Sequence, residues 1–415
     1  MGATDDADCV IVGGGPAGAM LGYLLARAGC AVIVLESHAD FARRFRGDTL
    51  GPATLDLLDE LGLARRLLAD TPHTRATAFC WHTAERDYVL SDFRDASADY
   101  GFFALLPQPE FLTFLIGEAA ARPSFQVRMN ARVNRLLHTG DRVTGVAYTD
   151  RTGREHELRA RLVVAADGRS SKIRRLSGLA TTELGVGSDL LWFDVPRDPA
   201  TDPPRSGLDL YALPGRYVVA LNQGQRWQLG YGIAAGSFAQ ARQDGVAPIR
   251  EAVDRHMPWL RQRMAALTDV NQLTLLDVRI TQVASWTVPG LLLIGDAAHV
   301  ISPVGGNGIN HALADAVQAA NLLAGPLARG SRADVDAACL AVQHARKPIT
   351  DAAQQEQSRI EARSRRALQC GDPRPPGVLR LLSRSPWLAR WAGRRANRAV
   401  RTPHVSPDIL AGKLG

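Results

Sequence analysis

The turn Gly13-Gly14-Gly15-Pro16-Ala17-Gly18 constrains this chain more than any other segment. It follows a short apolar run, Cys9-Val10-Ile11-Val12, suited to a buried parallel strand, and it opens a helical pattern from Ala17 to Ala28. Gly29 is placed to cap that helix and Ala31 to Leu35 reads as a second strand, so residues 8–36 predict a βαβ unit. In Gly13-x-Gly15-x-x-Gly18 the first glycine permits the tight turn, and the second lets a pyrophosphate approach the backbone. The third lets helix and strand pack closely. The N-terminus of that helix offers free N–H groups and a partial positive charge that favour a phosphate. Glu36 lies 18 residues beyond Gly18, at the end of the second strand, where a carboxylate can accept hydrogen bonds from a ribose diol. The unit predicts dinucleotide binding rather than a merely structural glycine turn. It does not by itself separate FAD from NAD.

Two later segments do. Leu291-Leu292-Leu293-Ile294-Gly295-Asp296 reads as a buried strand ending in an acid that could hold a ribityl or ribose hydroxyl. Pro303 to Asn310 then opens a helix, expected over about 307–323, with Gly305, Gly306 and Gly308 at its start. Such a start can aim bare N–H groups at an electron-rich acceptor, for instance the N1–C2=O edge of a reduced isoalloxazine. Between them, from about 186 to 285, the pattern changes to spaced β runs punctuated by Pro, Gly and Asp, with one helical stretch near 246–266. This predicts an antiparallel sheet inserted into the first domain. Upstream, strands are expected at Glu155–Ala160 and Leu162–Ala165, and a single long run at Leu273–Val283.

Composition narrows the class further. A chain of 415 residues supports two or three domains and a large core. It has no run of about 18 uncharged apolar residues and no basic-then-apolar leader, so a cytoplasmic protein without an integral membrane segment is expected. Its five cysteines show no CxxC or CxxC–HxxxH spacing, which predicts reduced thiols, no disulfide frame and no metal site. The net charge of +7 sits in the tail: from Gly371 onward there are nine Lys and Arg against two Asp, so the preceding chain is close to neutral. Without a basic main domain or a nucleic-acid motif, nucleic acid is not an expected partner. Leu379 to Trp391 interleaves apolar residues with arginines, as a basic surface helix does.

On these residues the chain resembles the group A flavoprotein monooxygenases, the p-hydroxybenzoate hydroxylase-like class, with motifs from about residue 8 to 325. The resemblance implies an α/β fold with an α+β insert: a Rossmann-like FAD-binding domain (1–75, 106–185 and 286–330), an antiparallel substrate sheet (76–105 and 186–285) and C-terminal helices (331–415). It implies that Gly13, Gly15, Pro16, Ala17, Gly18 and Glu36 hold the ADP half of FAD, and that Asp167-Gly168 serves FAD and the nicotinamide route. Gly295-Asp296 is then placed at the ribityl-pyrophosphate, with Pro303, Gly305, Gly306, Gly308, Ile309 and Asn310 near the flavin. Arg46 and Gln108 are implied to touch FAD, and Arg44 and Arg46 to meet phosphates, which a guanidinium fork suits. The cofactors implied are FAD and a transient NADPH or NADH, with O2 as co-substrate adding at flavin C4a and one oxygen passing to the substrate. The chain lacks a second GxGxxG and the halogenase Trp-x-Trp-x-Ile-Pro signature, and the tail after about 330 is too short for a thioredoxin-like third domain.

The cofactor carries the hard chemistry, so no side chain is singled out as catalytic. Phe79, Trp81, Tyr211, Tyr217, Trp227 and Tyr231 are candidate contacts to an aromatic or polycyclic substrate, with core packing as the alternative for each. His82, His299 and His311 are expected to be structural. Two other readings remain open: an FAD-dependent reductase of the prenyl-reductase kind, and a non-catalytic flavin-bound protein that sequesters a small molecule. Substrate identity and oligomeric state are not readable.

Overall fold

Strands Ala7–Val12 and Val32–Leu35 lie side by side in parallel, joined by helix Pro16–Arg27, with Gly29 taking a left-handed φ of +89° just beyond the helix end. The computed structural model describes residues 6–42, 49–186, 189–203, 205–302, 307–329, 331–369, 374–375 and 377–412. The main sheet runs in the order Thr287–Val288, Leu291–Leu293, Glu155–Ala165, Ala7–Val12, Val32–Leu35 and Phe125–Arg128, parallel throughout except for the outermost Thr287–Val288 pair. Its inner strands are almost uniformly apolar because helices cover the sheet, so neither face meets water. Residues 155–165 form one strand where two were expected. The strand changes partner along its length, antiparallel to Arg142–Thr149 at its start and parallel to Ala7–Val12 at its end, so its hydrogen bonding never lapses.

A second sheet of seven strands runs Thr274–Leu276, Asp189–Pro196, Arg226–Ile233, Arg216–Asn222, Leu208–Leu213, Ala78–His82 and Asp87–Asp92. All its pairings are antiparallel except that of Leu208–Leu213 with Ala78–His82. The expected run 273–283 is split: Thr274–Leu276 joins this sheet, whereas Arg279–Val283 pairs with Thr181–Val186 and His299–Val300. The expected helical stretch near 246–266 is likewise broken. Helix Ala247–His256 stops before Pro258, which cannot continue the ladder, and two 3-10 turns follow.

Strand alternation divides the side chains of this sheet between two faces. One face carries Leu190, Trp192, Leu208 and Leu221, with Phe79, Tyr217 and Val219 packed against them. The other carries Leu191, Phe193, Tyr211, Trp227 and Tyr231, buried under Ile249, Val253, Met257 and Leu260. The six aromatic residues expected to form one pocket therefore do not. Tyr211, Trp227 and Tyr231 are core residues of the helix-covered face, and Trp227 also donates its indole N–H to Asp202 at 2.8 Å. Phe79, Trp81 and Tyr217 point the opposite way.

Helices Gly308–Arg329 and Arg332–Gln369 follow the sheets, and helix Pro386–Ala399 lies along strand Asp87–Asp92. There Gly393 approaches so closely that a Cβ would stand 2.0 Å from the Asp92 carbonyl oxygen. No described helix is long and apolar enough to cross a membrane.

Candidate active site

Two of the three signature glycines are required by packing and the third is not. Gly13 has a left-handed φ of +106°, and a Cβ on it would lie 2.3 Å from the Ala166 carbonyl oxygen. On Gly18 a Cβ would lie 2.0 Å from the Gly13 oxygen. Gly15, at the N-cap of helix Pro16–Arg27, is extended (φ −71°, ψ −177°), and a Cβ there would meet nothing within 4 Å. Open space over bare backbone at a helix N-terminus fits a pyrophosphate, which needs both close approach and N–H donors. Glu36 is buried beside the turn: Oε2 accepts the Gly14 N–H at 3.0 Å, and Oε1 accepts the His38 N–H at 3.0 Å. Each carboxylate oxygen can accept more than one donor, so this geometry still accommodates ribose hydroxyls.

The three motifs touch one another. Gly13 meets Ala166 backbone to backbone, and Asp167 beyond it accepts the N–H groups of Lys172 (2.7 Å) and Ile173 (3.0 Å) and the Ser171 hydroxyl (2.5 Å). The Asp167 carboxylate is thus an N-terminal anchor for helix Lys172–Leu176, while Gly168 turns the chain at φ +80°. Gly295, at φ +58°, has room for a Cβ only 3.2 Å from that of Ala17 and 3.4 Å from that of Ala312, which places it where two helix starts meet. Asp296 accepts Nε–H of Arg169 at 3.0 Å, linking the third motif to the second.

Asn310 is buried, its Oδ1 accepting the Gly51 N–H at 2.9 Å and the Thr54 hydroxyl at 2.6 Å. Ile309 belongs to the main core, and Gly308 opens the helix with nothing within 4 Å of a built Cβ. Gln108 is buried at the first position of helix Gln108–Ala120. Arg44, Arg46, Pro303, Gly305 and Gly306 lie outside the described residues.

Sequence reasoning missed the charge cluster beneath the Gly-Asp turn. Asp315 is fully buried on helix Gly308–Arg329, where Oδ2 accepts the Gly295 N–H at 3.1 Å and lies 2.6 Å from His299 Nε2, and Oδ1 accepts Nε–H of Arg346 at 2.8 Å. Burial alone would raise the Asp315 pKa, but the charges and hydrogen bonds of His299 and Arg346 reverse that and hold it well below the usual carboxylate range. His311, whose Nδ1 is 3.5 Å from Arg346, is pushed down to about 3 by burial, with His299 and Arg346 adding to the shift. The available signal was a lone acid in the alanine-rich stretch 312–320.

Trp192 was also missed, because Leu190-Leu191-Trp192-Phe193 is continuously apolar and hides the period of two. Its ring lies on Gly230, where a Cβ would be 3.0–3.1 Å from three ring carbons, and Tyr217 lies on Gly232 at 3.4 Å in the same sense. This aromatic face continues to Phe103, whose ring is 3.1 Å from a Cβ built on Gly51, and Gly51 bonds Asn310. The glycine turn and the aromatic face thus end at the same helix start, the first through Gly295 and Ala312, the second through Gly51 and Asn310.

A family model described as FAD binding domain matches residues 6–356, and the matched span holds all three motifs. The chain belongs to the group A flavoprotein monooxygenases. Over 416 aligned residues it is 32% identical to 6-methylpretetramide 4-monooxygenase of Streptomyces rimosus, covering 97% of this chain and 95% of that protein. Digeranylgeranylglycerophospholipid reductase 2 of Methanopyrus kandleri is 28% identical over 320 residues, covering 74% of each. Among solved structures, p-nitrophenol 4-monooxygenase of Pseudomonas putida superposes with a TM-score of 0.77 at 21% identity, covering 96% of this chain and 99% of that one. That likeness shows the fold: a Rossmann-like parallel sheet, an antiparallel insert and C-terminal helices. This flavin monooxygenase uses FAD.

Proposed function

We propose that this enzyme inserts one oxygen atom from O2 into an extended aromatic or polycyclic metabolite, by hydroxylation or epoxidation, with NADPH or NADH as reductant. The observation that carries the proposal is the meeting of the aromatic face and the glycine turn at the start of helix Gly308–Arg329. Gly15 and the helix beginning at Pro16, Ala17 and Gly18 would hold the pyrophosphate, and Glu36 the ribose. Gly295, Asp296 and the backbone from Gly308 to Asn310 would face the ribityl chain and flavin ring. Bound FAD supplies hydride acceptance from the nicotinamide and activation of O2. The chain's own residues would orient substrate and exclude water: half-buried Tyr217, backed by the buried Trp192, would give fused rings an aromatic wall to stack on, worth about 0.5–1.5 kcal/mol per ring pair beyond burial. Phe79 flanks that surface and Trp81 extends it toward the sheet edge. The Streptomyces relative, a 6-methylpretetramide 4-monooxygenase, supports the oxygenase reading.

The reductase relatives favour a second reading, FAD-dependent hydride transfer without oxygen insertion. A screen of polycyclic phenols under 18O2, following NAD(P)H oxidation together with product mass, separates the two. Label entering product in step with NAD(P)H consumption supports the oxygenase. Unlabelled, two-hydrogen-heavier product supports the reductase, and no turnover with any ligand that binds supports a sequestering protein.

A further inference from the structure

We propose that Cys80, His82 and Asp209 form a zinc site on the helix-covered side of the seven-stranded sheet, opposite the aromatic face. Cys80 and His82 are two apart on one strand and so project to one side, and Asp209 stands directly opposite Cys80 in the parallel register of the neighbouring strand. One thiol, one imidazole nitrogen and one carboxylate oxygen lie within 4.8 Å of one another. A thiolate, an imidazole and a carboxylate, with a fourth position left for water, make a donor set suited to tetrahedral Zn2+. The sequence carries no zinc signature because such spacing rules look along the chain, and these ligands are gathered across a ladder.

The surroundings are those of a supported metal site rather than a chance cluster. A metal-bound histidine usually hands its other nitrogen to a carboxylate. His82 Nδ1 is 2.7 Å from Asp87 Oδ1, and Asp87 is in turn paired with Arg205 at 3.2 Å. The second oxygen of Asp209 accepts the Gly207 N–H at 3.0 Å, and the Ser206 hydroxyl reaches Asp209 Oδ1 at 3.0 Å. Tyr211 stacks on the imidazole with ring centroids 4.5 Å apart. His82 and Asp209 are buried while Cys80 is half-buried, so an ion would enter from the Cys80 side. His82 Nε2 and Asp209 Oδ1 are now 2.8 Å apart. Two bonds of about 2.0 Å at a tetrahedral angle would separate them by roughly 3.3 Å, so a half-ångström opening admits the ion.

Charge balances as well. The two positive charges of Zn2+ would be met by the Cys80 thiolate and the Asp209 carboxylate, the two anionic members of the donor set. The site sits at the one parallel pairing of this sheet, where Ala78–His82 meets Leu208–Leu213 over only four residue pairs and no hairpin joins them. An ion bonded to both strands would staple that seam. The proposal does not depend on the substrate reading.

Tag-free holoenzyme equilibrated with Zn2+, desalted and assayed by plasma mass spectrometry should retain one zinc per chain, and its melting temperature should fall on chelation. Cobalt in place of zinc should give the intense red ligand-field bands of a tetrahedral site, beyond the flavin absorption. Cys80→Ser should lose the bound ion, with unchanged far-ultraviolet circular dichroism. Zinc no higher than trace in the wild type, equal zinc in C80S, or only the pale bands of octahedral cobalt would overturn the proposal. If C80S does not fold, the wild-type zinc content and cobalt spectrum decide the question alone.

Discussion

Replacing Asp315 by Asn tests whether the buried charge cluster holds the Gly-Asp turn. The substitution keeps shape and volume, so its effect is electrostatic and directional. Two carboxylate oxygens now serve the Gly295 N–H, His299 Nε2 and Arg346 Nε, and the amide offers one acceptor and turns an NH2 toward the remaining donor. Arg346 is 1% exposed and would be left as a buried charge without its carboxylate. Breaking a buried pair from one side costs about 3–5 kcal/mol. Urea denaturation at pH 7 should therefore show a loss in that range, and FAD titration by fluorescence should show weaker binding, because Gly295 loses its fixed acceptor. The double variant Asp315→Leu/Arg346→Met should recover part of the stability, since an apolar pair replaces the buried ion pair while the Gly295 N–H and His299 stay without their acceptor, but not the FAD affinity. The pH dependence has a definite sign. The Asp315 pKa is depressed in the fold, so its contribution is complete above the unfolded value of about 3.9 and is lost as pH falls toward the folded value. A loss below about 1 kcal/mol in D315N would refute the reasoning, because that is the range of an exposed pair.

Three further comparisons test other parts of the site. Gly15→Ala should leave the melting temperature nearly unchanged yet weaken FAD binding at least about tenfold, whereas Gly13→Ala should cost about 3 kcal/mol of stability from clash and left-handed strain. Equal behaviour of the two would contradict the assignment of Gly15 to ligand approach. His311 is neutral in the fold and protonates on unfolding below about pH 6.5, so its effect is absent above that value. Between pH 6 and 4 it should steepen the loss of stability by about 1.4 kcal/mol per pH unit. Urea melts of His311→Gln should show the shallower slope, and identical slopes would refute the effect. Trp192→Ala should raise the substrate KM about tenfold and Trp227→Ala should leave it nearly unchanged, each costing about 3–5 kcal/mol of stability because both rings are buried. The opposite pattern would put the substrate on the other face.

The βαβ start, the class of cofactor and the presence of an inserted sheet were all legible along the chain, because each is written in contiguous residues. A glycine turn must follow its strand and precede its helix, and the periods of two and 3.6 belong to local backbone geometry. Length alone could not show that residues 155–165 are one strand with two partners, since only Arg142–Thr149 is its neighbour in sequence and Ala7–Val12 is remote. The aromatic candidates divide between two faces for a related reason. Composition marks Trp227, Tyr211 and Tyr217 alike, but only strand pairing and helix cover decide which of the two faces each side chain joins.

The sequence by itself determined that a dinucleotide-binding flavoprotein fold was to be built, through residues that interact with their near neighbours. Only the tertiary structure decided that Ala166 closes on Gly13, that Asp315 and Arg346 brace Gly295, that Trp192 floors the aromatic face and that Cys80 meets Asp209. Those contacts join residues separated by tens to more than a hundred positions, and the energy of a buried charge or a stacked ring depends on what surrounds it rather than on what precedes it.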